Sequence, residues 1–438
     1  MALLTTLFCI ILLIVLISLA KVNPFVAFLI VSITAGLLLG IPVNKITASV
    51  QKGLGDTLGT VSIIICVGAM IGKLVATSGA AQRLAEFLVN AFGVKYIQWA
   101  LVVAGFIVGI PLFYNTGFVL IVPLIFSIVY KYKLPAIYIG LPMLAALSVT
   151  HGFLPPHPSP SALVLIFHAN MGKTFIYGLI IAIPAIILAG PVFARTLKNI
   201  SSSPLATFRA EELPPSELPG AANSFLTALL PVILLMAATL YLNTDHSNGS
   251  FHKVATFIGD TPIVMLISLI VATYTLGIKQ GKTMKQLGVI YTDAVKDISV
   301  ILLIIAGSGA FKQVLTDSGV STAIAGLLQS FHLEPLVLGW LIAAIIRVSL
   351  GSATVAGLTA AGIMSSMVIH DPSINPNLMV LALGAGSLAF SHVNDAGFWL
   401  CKEYFNLSIK DTLRSWSVME TIVSFVGLGG VLLLNMVV

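Results

Sequence analysis

The chain has 438 residues, 58% of them hydrophobic and only 9% charged, with a mean hydropathy of +1.06. A soluble domain is about 25% charged and could not bury this much apolar side chain, so a soluble globule is excluded. The net charge of +6 arises from scarce acids, not from a Lys/Arg-rich patch, which excludes a nucleic-acid-binding protein and leaves an all-α polytopic membrane protein in a lipid bilayer.

In chain order, apolar stretches predict about ten spanning helices, at 3–20, 24–39, 57–76, 137–150, 175–193, 225–242, 262–277, 300–315, 378–390 and 418–437. The first has neither a basic flank nor a small-residue cleavage site, so it reads as a membrane helix and not as a signal peptide. Two longer apolar stretches, 98–130 and 337–369, are interrupted near the middle, by Pro111-Leu-Phe-Tyr-Asn-Thr-Gly117 and by Leu350-Gly-Ser-Ala-Thr-Val-Ala-Gly357. Their arms are too short for full crossings, so they read as re-entrant hairpins. Two further helices are broken, about 137–169 at the run 150–160 and about 378–400 at the run 391–398. The polar segment 195–222 reads as a cytoplasmic linker.

The two halves repeat. At one constant offset Ser78-Gly79 falls on Ser318-Gly319, Val108 on Val348 and Gly117 on Gly357, and one further residue of shift puts Thr150-His151 on Ser391-His392. The organisation is then a first repeat over 1–194, the linker, and a second repeat over 223–438. Five spanning helices and one hairpin per half make the second repeat inverted, the pattern of a secondary transporter. Basic residues agree with this count. With both termini extracytoplasmic, the inner segments hold Arg83, Lys131, Lys133, Arg195, Lys198, Arg209, Lys279, Lys282, Lys285 and Lys402 among others. The opposite side holds only Lys45, Lys52, Lys173 and Lys253.

Non-helical backbone at membrane depth is tolerated only where it is buried in protein or lines a wet cavity, and helix N-termini freed there attract anions. The first tip presents Asn115 and Thr116 before Gly117. The second presents Ser352 and Thr354 after Gly351. Thr150 and His151 match Ser391 and His392, and Asn394 and Asp395 follow. These are the expected substrate-binding residues; for each hydroxyl the alternative is a bond back to its own helix. Asp395 is an ionisable group at membrane depth, a functional candidate that could equally cap a helix. Arg347 precedes the second tip, as the partner of an anion, of Asp395, or as an anchor at the membrane face. His151 and His157 lack a third ligand, and Cys9, Cys66 and Cys401 are scattered, so no metal, cofactor or disulfide is expected. No GxxxxGK[ST] loop is present, so an ATPase is not expected either.

Several strings read together resemble one family. They are Thr150-His-Gly-Phe-Leu-Pro-Pro-His-Pro158, Leu350-Gly-Ser-Ala-Thr-Val-Ala356, Ser391-His-Val-Asn-Asp-Ala-Gly-Phe-Trp399, Lys402-Glu-Tyr-Phe-Asn406, and Gly309-Ala-Phe-Lys-Gln-Val-Leu315 with Asp317-Ser-Gly319. The chain from about residue 23 onward resembles the gluconate–proton symporter (gluconate permease) family of the ion transporter superfamily. The resemblance implies no enzyme but a bacterial inner-membrane carrier that imports gluconate or a related sugar acid with protons. It also implies an elevator-type inverted-repeat fold and a homodimer. It would place substrate at Asn115, Thr116, Ser352, Thr354, His392, Asn394 and Asp395. Asp395 is then the expected proton carrier, with His392 and His151 as the competing candidates. Many members of that family carry an acid where this chain has Asn115, which leaves coupling to another group. The family also includes carriers of other hydroxy acids and of serine, and a passive channel is a remoter alternative.

Overall fold

The computed structural model describes residues 2–438 except 111, 113, 156, 206, 208–212, 245–248, 321–322 and 324–332. Pro111, Phe113, Pro156 and Arg209 of the sequence reading therefore lie outside the described residues. Among the described residues every regular element is helical. In chain order these are α1 (Ala2–Ser18), α2 (Pro24–Leu38), α3 (Val43–Thr77), α4 (Ala80–Gly109), α5 (Tyr114–Tyr132), α6 (Ala136–Phe153), α7 (Pro158–Ile166), α8 (Met171–Ile187) and α9 (Ala221–Thr244). There follow α10 (Ser250–Ile258), α11 (Thr261–Ala272), α12 (Met284–Asp317), α13 (Pro335–Leu350), α14 (Ala353–His370), α15 (Pro376–Gly386), α16 (Ala396–Tyr404), α17 (Ile409–Thr412) and α18 (Val418–Asn435). Nine of the described helical stretches are long and apolar enough to cross a membrane.

Helix starts follow local chemistry. Asn23-Pro24, Glu334-Pro335 and Asn375-Pro376 each place a side-chain acceptor at the cap and proline, which has no N–H to lose, at the first helical position. Two helices begin far earlier than hydropathy predicts: α3 at Val43 instead of 57, and α12 at Met284 instead of 300. Their polar first halves look like loops by composition, yet they continue the helix. Within α3, Lys52 meets Asp56 one turn on at 2.6 Å. Gly53 packs so tightly on α12 that a Cβ there would stand 2.4 Å from the carbonyl oxygen of Gly309. Small residues that let backbones touch replace the hydrophobic effect as the packing force inside a bilayer.

The chain forms two compact units, each drawing on both halves of the sequence. The first comprises Met1–Gly59, Ser148–Leu197 and Leu303–Val438. Its centre is α15, which packs on α13, α18 and α8. A Cβ on Gly386 would lie 2.3 Å from the Trp340 carbonyl oxygen, and one on Gly384 2.4 Å from that of Gly152, so α13 and the end of α6 both reach the α15 backbone. Asn377, at the start of α15, accepts from the Asn170 N–H at 2.8 Å and from the Thr174 hydroxyl at 3.1 Å, fixing the start of α8.

The second unit comprises Thr60–Leu147 and Lys198–Leu302. Its core gathers Ile71, Leu74, Leu84, Met265, Leu276 and Leu287. Gly93, at φ +70, interrupts α4, so that the stretch after it pairs with α5 as a separate short arm. The linker is strapped onto this unit. Gln82 exchanges two hydrogen bonds with the backbone of Leu213, Arg83 donates to the Pro219 carbonyl, and Tyr130 donates to that of Pro204. Asp297 accepts from both Thr207 and Lys73.

Candidate functional site

In the first unit, α13 ends at Leu350 and α14 begins at Ala353. The turn needs glycine: Gly351 has φ +71, and a Cβ there would lie 2.2 Å from the Asn394 carbonyl oxygen. Ser352 caps α14, accepting from the Val355 N–H at 3.4 Å. The break after α15, residues 387–395, lies across this turn. The last turn of a helix leaves carbonyls without intrahelical donors. Here Asn394 Nδ2 donates to the carbonyls of Val348 (2.8 Å) and Ser349 (3.1 Å), and His392 Nε2 donates to Val348 O at 2.8 Å. That bond assigns the imidazole proton to Nε2.

Beside it sits an ion pair. Arg347 Nη2 donates to Asp395 Oδ2, and the two side chains are only 4% and 13% exposed. Asp395 is also held by the Ser391 hydroxyl and caps α16 by accepting from the Gly397 N–H at 3.1 Å. Trp416 Nε1 donates to Ser391 Oγ at 2.8 Å, and Ser417 donates to the Ser391 carbonyl. The break is thus irregular but fixed, and Trp399 anchors its middle by donating to the Val393 carbonyl at 2.7 Å.

Hydrogen-bonding capacity is left over. Among the described residues, Nε and Nη1 of Arg347 and Oδ1 of Asn394 are buried without partners. A buried guanidinium with idle donors is costly unless an acceptor fills the place, and a carboxylate is the complementary group.

The structure therefore brings Arg347, Gly351, Ser391, His392, Asn394 and Asp395 into one cluster. Ser352 caps the adjoining helix, and Thr354 is half-buried in its first turn. Thr150 and His151 close α6, and the next residue, Gly152, packs directly on Leu388 of the break. The His151 ring stands 4.9 Å from that of His157, edge to face. Asn115, Thr116 and Gly117 belong to the second unit, in the first turn of α5, where Thr116 is buried and Gly117 packs on Leu147.

Sequence reasoning missed Glu420, in the first turn of α18. It is 1% exposed, hydrogen-bonded to Ser148 and within the electrostatic reach of Arg347 and Asp395. An acid near the start of an apolar helix reads as an interfacial residue favoured by the helix dipole. The signal that could have found it is spacing: Trp416, Glu420 and Ser424 recur every four residues, on one face with Gly427.

Interrupted helices within an apolar bundle, meeting at a buried ion pair with spare donors, define a membrane transport protein. The GntP family permease model matches residues 1–437, and the chain belongs to that family. The resemblance read from the motifs is thereby borne out. The high-affinity gluconate transporter of Escherichia coli K12 is 48% identical over 98% of both chains. The Gnt-II system L-idonate transporter of the same organism is 46% identical over 95% of each chain, and the gluconate permease of Bacillus subtilis is 46% identical over 95% of this chain and 96% of its own. The Alcanivorax borkumensis YdaH transporter structure aligns over 94% of this chain and 98% of its own at 16% identity, with a TM-score of 0.44.

Proposed function

We propose that this permease imports gluconate or a closely related sugar acid with protons across the bacterial inner membrane. The observation that carries the reading is Arg347: a buried guanidinium, one nitrogen on Asp395 and two idle. The idle donors suit a carboxylate, and Asn394 Oδ1 beside them suits a hydroxyl. Gluconate and L-idonate supply both groups, and they are the compounds for which the relatives are named. Arg347, Ser391, His392, Asn394 and Asp395 then form the anion end of the site. Thr150, His151, Gly351, Ser352 and Thr354 stand near it, and Asn115, Thr116 and Gly117 remain candidates on the other unit.

Alternating access of the elevator type, two inverted repeats and a homodimer belong to the same proposal. The repeats are supported by the element order, in which a paired-helix turn followed by a broken helix occurs at α4–α7 and again at α13–α16; the elevator motion and the homodimer are what the family resemblance implies. The basic-residue bias supports extracytoplasmic termini and an inner linker. Proton symport rests on energetics. A potential negative inside opposes each entering negative charge by about 2.3 kcal/mol per 100 mV, which a co-transported proton offsets.

The test is uptake of labelled gluconate into vesicles containing the purified protein, with an imposed pH gradient. Accumulation abolished by an uncoupler supports symport; equilibration without accumulation would mean a passive pathway. A thermal-shift screen against gluconate, L-idonate, shorter hydroxy acids and serine separates the substrate classes.

A further inference from the structure

We propose that Glu420 is the proton-carrying group of this permease, while Asp395 is the fixed counter-charge of Arg347. The inference rests on the proton-symport reading above. Asp395 is fully occupied, accepting from Arg347, Ser391 and the Gly397 N–H. Three donors, one of them a guanidinium, hold this carboxylate in place as the partner of Arg347.

Glu420 is placed differently. It faces the interior from α18, one turn after Trp416, which holds Ser391, and one turn before Ser424, which accepts from Trp340 of α13 at 3.0 Å. Its bond is to the Ser148 hydroxyl, and its Oε2 is buried without a partner among the described residues. A carboxylate there has an unsatisfied charge; the carboxylic acid does not.

The charged and titratable neighbours are few. Arg347 on α13, Asp395 at the break and Cys401 on α16 interact with Glu420 electrostatically. His151 lies one turn along α6 from Ser148. α15 carries no titratable residue, α8 carries exposed Lys173 and half-buried Tyr177, and the turn before α18 carries exposed Arg414.

The charge arithmetic then links proton and substrate. Arg347 and Asp395 cancel. Counted with these two, an ionised Glu420 makes the trio singly negative and an arriving carboxylate makes it doubly negative in a low-dielectric interior; half-buried Lys312 of α12, within electrostatic reach of Asp395, moderates that charge without reversing the effect. Adding a proton to Glu420 Oε2 forms one O–H bond and removes one of these charges. Anion binding and protonation thus favour each other, and by linkage the coupling is reciprocal. Release of the anion on the inner side removes the second negative charge and with it the extra stabilisation of the O–H form, so the Glu420 O–H bond breaks and its proton passes to water on that side.

The experiment compares wild type with Glu420→Gln, which mimics the neutral acid, and Glu420→Asp in gluconate vesicles with an imposed pH gradient. Wild type should accumulate gluconate. Glu420→Gln should lose accumulation at least tenfold yet retain gluconate counterflow, which needs no net proton movement, and Glu420→Asp should restore accumulation. Accumulation by Glu420→Gln at the wild-type level overturns the proposal. Wild type that exchanges gluconate without accumulating it overturns the symport reading itself, a separate result. If Glu420→Gln fails to fold, proton uptake by detergent-purified protein on adding gluconate decides. Its pH profile should shift in Glu420→Asp, and an unshifted profile overturns the assignment.

Discussion

Arg347 and Asp395 lie 48 residues apart in the chain and meet as a buried ion pair at 2.5 Å, one near the C-terminal end of α13 and the other at the cap of α16. The pair ties a helix end to a chain break, so it organises the site as well as charging it. Removing one member of such a pair strands the other charge, at a cost of about 3–5 kcal/mol. Arg347→Ala and Asp395→Asn should each lower the unfolding temperature in detergent and abolish gluconate binding. The double substitution should recover part of the stability but none of the binding, and a strictly additive thermal loss would mean that the pair is not coupled.

Under the proposed function the tips bond the substrate and contribute little to the fold. Thr354→Ala and Asn115→Ala remove polar groups from helix starts and should leave the unfolding temperature near wild type. If each bonds the substrate, a lost hydrogen bond to a charged ligand costs about 1.5–3 kcal/mol, roughly ten- to a hundredfold in affinity. Isothermal titration with gluconate checks this, and unchanged affinity in one variant removes that tip from the site.

Glycine at the α15 contact is a packing requirement. Gly386→Ala would push a methyl group against the Trp340 carbonyl, which must move, so a loss of about 1–3 kcal/mol is expected. Gly362→Ala, on α14, meets nothing within 4 Å and should be neutral or stabilising by up to about 1 kcal/mol. Thermal unfolding of the two variants side by side gives the comparison.

The linker offers a test of orientation. Ser203 is exposed in it. A Ser203→Cys variant, with the native cysteines replaced, should react with a membrane-impermeant maleimide in inside-out vesicles and not in intact cells. Gln82→Ala removes both bonds to Leu213, each worth about 1 kcal/mol, and should speed proteolysis of the linker in the same inside-out vesicles.

Much of this protein was legible one residue at a time. A bilayer demands runs of apolar residues with every backbone group paired, so hydropathy alone marks the spans. Proline and glycine mark the breaks for equally local reasons: Gly351 adopts a positive φ, and Asn375-Pro376 supplies the cap and first residue that favour a helix start. Local composition failed where tertiary contacts overrode it. The polar first halves of α3 and α12 looked like loops, but α3 is held where Gly53 meets Gly309, a contact between distant segments. The same limit hid the roles of the charges. Lys73 is a basic residue in an apolar stretch, and only the fold pairs it with Asp297. Asp395 is legible as an acid at a break and as a candidate partner of Arg347, and the fold selects that pairing. Glu420 looked like an interfacial acid until the packing of α18 against Ser148, Ser391 and Trp340 enclosed it. Sequence determines which residues are apolar, kinked or charged, because those are properties of single side chains and their immediate neighbours. Whether a charge is paired, idle or sealed from water depends on residues tens to hundreds of positions away, and that only the tertiary structure decides.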